Sequence, residues 1–203
     1  MTQSTMSSRT DLILQNVILS LFLFFALILF TTPGKAQNPG ADNHYTVAEI
    51  VDTGHKFFGK VSGGLAAVIE KAVSKHGLPN GYILGEEGSA ALVAGARYGE
   101  GSLYTKNMGS HKAYWQGPSI GWDFGGDGNR TMMLVYNLPS VDFLYRRWGG
   151  VNGSAYLVGG FGLTMLTAGN PYYVVPIRSG VGARLGINIG YLKFSRKPTW
   201  NPF

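Results

Sequence analysis

Apolar residues along this chain follow two different periods. From Thr46 to His76 they return every three or four positions, whereas after Pro79 they tend to alternate with polar or glycine positions. The first period is that of a helix and the second that of a strand. Val47, Ile50, Val51, Gly54, Phe57, Phe58 and Val61 form one stripe, and Leu65, Val68, Ile69, Ala72 and Val73 a second. Thr46 and Glu49 spell Thr-x-x-Glu, a capping box. Gly63-Gly64 separate the stripes, Gly77 can cap the second, and Pro79 prevents its continuation. Two helices are predicted, over about residues 46–60 and 64–76.

Beyond Pro79 the runs "GYILGEE", "SAALVAGARYG", "SLYTKN", "KAYWQG", "SIGWDFGG" and "RTMMLVYN" read as short strands punctuated by glycine, asparagine or proline. In the last of these, Met132, Leu134 and Tyr136 fall on one face and Met133 and Val135 on the other. Asp127-Gly128 before Asn129 is a hairpin-turn signal. "LPSVDFLYRRWGG" predicts a short helix near 139–148, with Pro139 in its first turn. Strands resume in "GSAYLVGGFGLTML", "YYVVPIR" and "VGARLGINIGYLKFS". Gly182, Gly186 and Gly190 share one face, which lets a strand bend sharply. The expectation is a mostly β fold with minor α (α+β): a small antiparallel β-barrel of about eight strands, preceded by one or two helices.

The N-terminus has a different pattern. Arg9 precedes "VILSLFLFFALILF", and "TTPGKAQNPG" follows with breakers and small residues. A positive start, an apolar stretch and a small-residue exit predict a secretory signal cleaved after Ala36. An uncleaved anchor from Leu12 to Phe30 is the competing reading, interrupted by Gln15 and Asn16. Either one places the rest outside the cytoplasm, in the periplasm. The expected organisation is signal 1–36, leader 37–44, helical segment 45–79, barrel 80–197 and tail 198–203.

Composition narrows the chemistry. The 203 residues contain 30 glycines and no cysteine, so disulfides, thiolate metal sites and cysteine nucleophiles are excluded. Loss of residues 1–36 would remove Arg9, Lys35 and Asp11. Of the 17 basic and 11 acidic side chains, 15 and 10 would remain, a net charge of +5. Such mild basicity suits anionic lipid or polysaccharide without requiring either. There is no dense Lys/Arg run, so nucleic acid is not an expected partner.

Motifs with defined chemistry fail on inspection. "GHKFFGKVS" nearly matches a nucleotide-binding P-loop, but Val61 stands where the Mg²⁺-binding hydroxyl belongs. Asp123-Phe124-Gly125 matches the kinase metal triplet but has no catalytic loop with it. Asp123, Asp127 and Asn129 lack calcium-loop spacing. His44, His55, His76 and His111 share no ligand spacing. Glu86 and Glu87 point to opposite sides of a strand, although a carboxylate–arginine hydrolase site pairing Glu86 or Asp123 with Arg178 stays open. No catalytic residue, metal ligand or cofactor is expected. Tyr114, Trp115, Trp122, Arg146, Arg147 and Arg178 are the candidate ligand-binding residues, an aromatic–basic set of the kind that meets glycans or membrane interfaces. Phe203 raises an outer-membrane barrel as a further alternative, but Pro198 and Pro202 break the alternation that a last membrane strand would need.

The stretch "YWQGPSIGWDFGGDGNRTMMLVYNLPSVDFLYRR", with "GGVNGSAYLVGGFG" and "VVPIRSGVGARLGINIGYLKFS", resembles the alphaproteobacterial family of periplasmic envelope integrity proteins, over about residues 44–196. The resemblance implies a small periplasmic barrel that supports envelope integrity and, in pathogens, cell division and virulence, with no defined catalytic residue. A fainter similarity to SYLF lipid-binding domains rests on "WQGPSIG", a Gly-Gly turn and the "LVYNL" strand. Together these imply an envelope lipid, glycan or protein as partner, possible peripheral contact with the membrane, and no nucleotide.

Overall fold

Thr46 begins the first helix as its sequence predicts. Its hydroxyl accepts the backbone N–H of Glu49 at 3.2 Å, and the Glu49 carboxylate accepts the N–H of Thr46 at 2.7 Å. Helix α1 (Val47–Phe58) ends where Gly59 turns left-handed, and α2 (Gly63–His76) ends at Gly77. Gly63-Gly64 therefore open the second helix. Gly64 also lets α2 touch backbone, since a Cβ there would lie 2.7 Å from the Cα and carbonyl oxygen of Gly159. These elements belong to a computed structural model that describes residues 43–59, 62–91, 94–120, 123–124, 129–179 and 190–201. All of them fall in one unit, Pro39–Phe203. The predicted signal segment and Asp127-Gly128 lie outside the described residues, as do Gly182 and Gly186.

The strands are β1 (Gly81–Ala91), β2 (Ala94–Thr105), β3 (Gly109–Ile120), β4 (Asp123–Phe124), β5 (Asn129–Tyr136), β6 (Arg147–Gly150), β7 (Tyr156–Val158), β8 (Phe161–Leu163), β9 (Leu166–Thr167), β10 (Tyr173–Ser179) and β11 (Tyr191–Ser195). Every pairing among them is antiparallel, and the path β1-β2-β3-β11-β6-β9-β10-β5 returns to β1. Eight strands thus close a barrel, which removes the edges that an open sheet would expose. The β7–β8 hairpin continues alongside β10, and β4 alongside β1.

The barrel wall buries both of its faces over β5. Met133 and Val135 join Ile83, Leu103, Ala113, Trp115, Trp148, Leu166, Val174, Leu192 and Phe194 in one core, which occupies the barrel interior among the described residues. Met132, Leu134 and Tyr136 join Val175, Ile177 and Phe161 in a second core beneath α1 and α2. The helices contribute Ile50, Leu65, Val68 and Ile69 to it, all fully buried. Burying each such side chain is worth roughly 1.5–3 kcal/mol.

Three sequence expectations need correction. Gly88 and Gly101 do not mark turns; they lie inside β1 and β2. The helix after Pro139 is one turn, α3 (Val141–Leu144), and Arg147 onward is strand, because Trp148 is drawn into the barrel core. Finally, β4 and β5 both run antiparallel to the same edge of β1, so they run in the same direction. A hairpin pairing β4 with β5 is therefore excluded.

Candidate functional site: an acidic and aromatic cavity on the outer wall

Strand register sets side chains from distant parts of the sequence in rows across the wall. Glu86 on β1 stands opposite Glu100 on β2, and Glu100 opposite Tyr114 on β3. Two positions along, Gly88 stands opposite Tyr98, and Tyr98 opposite Gln116. Side chains two apart share a face, so both rows look outward. The intervening row, Glu87, Gly99 and Trp115, turns its side chains into the barrel.

The C-terminal segment crosses these outward rows. Pro198, Thr199 and Trp200 close over them, leaving a cavity of about 320 Å³. The Tyr98 hydroxyl donates to the Trp200 carbonyl oxygen at 2.9 Å, and their rings lie 5.3 Å apart. Trp200 is nevertheless 82% exposed. Gly88 leaves the floor open, since a Cβ there would meet no atom within 4 Å. Gln116 is only 1% exposed, and its amide nitrogen has no protein partner. Glu86 and Glu100 are exposed, and among the described residues neither has an ion-pair partner. Arg130 is the residue opposite Glu86 on β5, but its guanidinium donates to the Phe57 carbonyl oxygen at 2.8 Å.

Behind this wall the barrel holds a buried ionic cluster. Arg178 donates to both carboxylate oxygens of Glu87, at 3.0 and 3.1 Å. Arg97 approaches the same carboxylate at 3.2 Å, and the Trp115 indole N–H donates to it at 2.9 Å. Burial alone raises the Glu87 carboxyl pKa. The two guanidiniums and the hydrogen bonds from Arg178 and Trp115 outweigh burial and hold the group below the usual carboxylate range. The cluster needs room, and glycine supplies it: a Cβ on Gly99 would lie 2.2–2.4 Å from the Trp115 ring.

The predicted ligand set is thereby divided. Tyr114 and Trp115 both line the outer cavity, Trp115 with only 1% of its surface exposed. Trp115 and Arg178 have buried side chains committed to Glu87, so they cannot present an exposed aromatic–basic surface. Arg146 lies over the Phe143 ring at 3.6 Å and Arg147 over Tyr191 at 5.2 Å, at the end of the barrel near α3. Trp122 lies outside the described residues. The predicted pairing of Glu86 with Arg178 is also corrected, since Glu87, one residue along and facing inward, takes that place. Sequence reading missed Tyr98, Glu100, Gln116 and Trp200. The alternation "RYGEGSLY" carries the first two, but only register brings them to Glu86 and Gln116.

Comparison with known proteins fits this architecture. A crystal structure of a β-barrel-like, uncharacterised protein from Brucella abortus is similar to this chain at 62% identity, with a TM-score of 0.74. The match covers 79% of this chain and 99% of that one. No curated protein matches. A model of the envelope integrity protein A family matches residues 43–203. With a closed eight-strand barrel preceded by two helices and a match over most of its length, the chain belongs to the envelope integrity protein A family.

Proposed function

We propose that the protein acts in the periplasm as a non-catalytic component of envelope integrity, recognising an envelope component on the outer wall of its barrel. Family membership ties it to the envelope. The observation that carries the mode of action is the packing of the interior among the described residues: Trp115, Trp148, Met133 and the Glu87 cluster occupy space where an open barrel would hold a small molecule. Recognition is thereby directed to the surface, where the cavity under Trp200 lies.

The hydrolase reading draws no support from the arginine-bound carboxylate. Glu87 is 6% exposed, ionised and saturated with donors, which suits a structural role better than proton transfer. The outer rows also carry Glu86, Glu100 and Lys112, side chains that a lipid-facing barrel wall would place in hydrocarbon at high cost.

The test is binding by the protein as the cell processes it. It is offered vesicles containing anionic lipid, lipid A-type glycolipid and isolated peptidoglycan. Saturable binding to one of these supports direct recognition. No binding to any would end that reading and leave a role through partner proteins.

A further inference from the structure

We propose that the cavity beneath Trp200 is a saccharide subsite, taking one sugar ring of an envelope glycan. This inference rests on the envelope-recognition reading above and names the chemistry of its ligand. The argument starts from Gln116. A buried amide N–H without a partner is costly and uncommon, and this one lines a cavity with an open floor at Gly88. It calls for a ligand oxygen. Glu86 and Glu100 stand opposite each other in the register, and among the described residues neither has an ion-pair partner, so they call for ligand donors.

A sugar hydroxyl meets both demands, because it accepts with its lone pairs and donates with its proton. A hydroxyl placed between the two rows can accept from Gln116 and donate to Glu100. Hydrogen bonds to an ionised carboxylate are the stronger kind. Three aromatic side chains stand among the remaining lining residues: Tyr98, Tyr114 and Trp200, whose backbone carbonyl accepts from Tyr98 and whose ring meets the Tyr98 ring yet stays open to solvent. Such rings pack on the C–H face of a pyranose while its rim of hydroxyls reaches the polar groups.

Other ligand classes satisfy less of the cavity. A phosphate or carboxylate would meet two like charges. An organic cation would pair with Glu86 and Glu100 and stack on the rings, but would leave the Gln116 N–H without an acceptor. An acyl chain would leave all three polar groups unpaired. The cavity lies at the small end of the ~300–1,000 Å³ typical of ligand sites, which suits a single ring with its neighbours in solvent.

The experiment is a fluorescence and NMR titration of the processed protein with three probes: chitotetraose with muramidase-released peptidoglycan fragments, delipidated envelope polysaccharide, and choline. The two saccharide arms distinguish cell-wall glycan from surface polysaccharide. Saturable binding of either, with the Trp200 indole resonance shifting, is expected. Gly88→Val fills the floor with a residue that strands favour and meets no neighbour. It should leave the thermal midpoint unchanged and weaken saccharide binding by roughly tenfold or more. Trp200→Ala, on a solvent-exposed ring, should do the same through loss of stacking.

Saccharide binding that survives both substitutions would overturn the assignment of the site. Binding of choline alone, abolished by Glu86→Gln with Glu100→Gln, would overturn the saccharide in favour of a cation. Failure of every saccharide and of choline would also overturn the subsite. If the lipid vesicles of the preceding test then bind, envelope recognition stands without it; if they too fail, direct recognition falls as well.

Discussion

Glu87→Gln separates structural from surface carboxylates most sharply, because Glu86 beside it provides the control. The substitution keeps the shape and removes the charge. Arg178 then loses the carboxylate that it contacts at 3.0 and 3.1 Å, and Arg97 the one at 3.2 Å, both within the barrel. Breaking a buried ion pair by removing one partner costs about 3–5 kcal/mol, because a charge is left desolvated. For a domain of this size each kcal/mol lowers the thermal midpoint by roughly 2–4 °C. A fall of about 6–20 °C follows, read by near-ultraviolet circular dichroism at pH 7. Glu86→Gln, on the exposed face, should stay within about 0.5 kcal/mol of the unsubstituted protein.

Acid provides the second half of this test. The folded carboxyl lies below its unfolded value, so its stabilisation is present above the ordinary glutamate pKa of about 4.3 and is lost as pH falls through the folded value. The gap between Glu87→Gln and the unsubstituted protein should therefore shrink below about pH 4. A gap that is small at pH 7, or one that persists unchanged in acid, would refute the assignment of net stability to this cluster.

The remaining predictions concern close packing and capping. Gly99→Ala would drive a methyl into the Trp115 ring, so a loss of about 1–3 kcal/mol is expected with an altered tryptophan signal in near-ultraviolet dichroism. Gly64→Ala meets backbone at Gly159, and should loosen α2 from the β7–β8 hairpin, seen as faster amide exchange in both. Thr46→Ala removes the capping box and should cost about 0.5–2 kcal/mol in denaturant unfolding.

Local signals in the sequence were readable where their cause is local. Thr46 and Glu49 lie three residues apart and cap α1 as their spacing states. The two helical stripes supply Ile50, Phe58, Leu65, Val68, Ile69 and Ala72 to the core. In β5 the alternation was legible, but what covers each face was not. Met132 and Met133 are equally apolar, and only the closed sheet decides which meets a helix and which fills the barrel. Glycine misled for a related reason. Gly88 and Gly101 look like turn marks, yet one leaves an open floor and the other sits where a Cβ would lie 2.3 Å from the Leu84 carbonyl oxygen. Neither partner is near in sequence. The cavity was the least legible feature, since Glu86, Glu100, Gln116 and Trp200 come from three strands and a tail that meet through register alone. The sequence pointed instead to Trp115 and Arg178, whose bulk and charge serve the interior.

Recognition on the outer wall of the barrel is tested most directly by mapping backbone and indole resonances of the protein during titration with solubilised envelope material. Shifts should concentrate at Gly88, Gln116 and the Trp200 indole, with Trp148 and Met133 unmoved. Shifts centred on Trp148, Met133 and Leu166 would place the ligand inside the barrel and contradict the account.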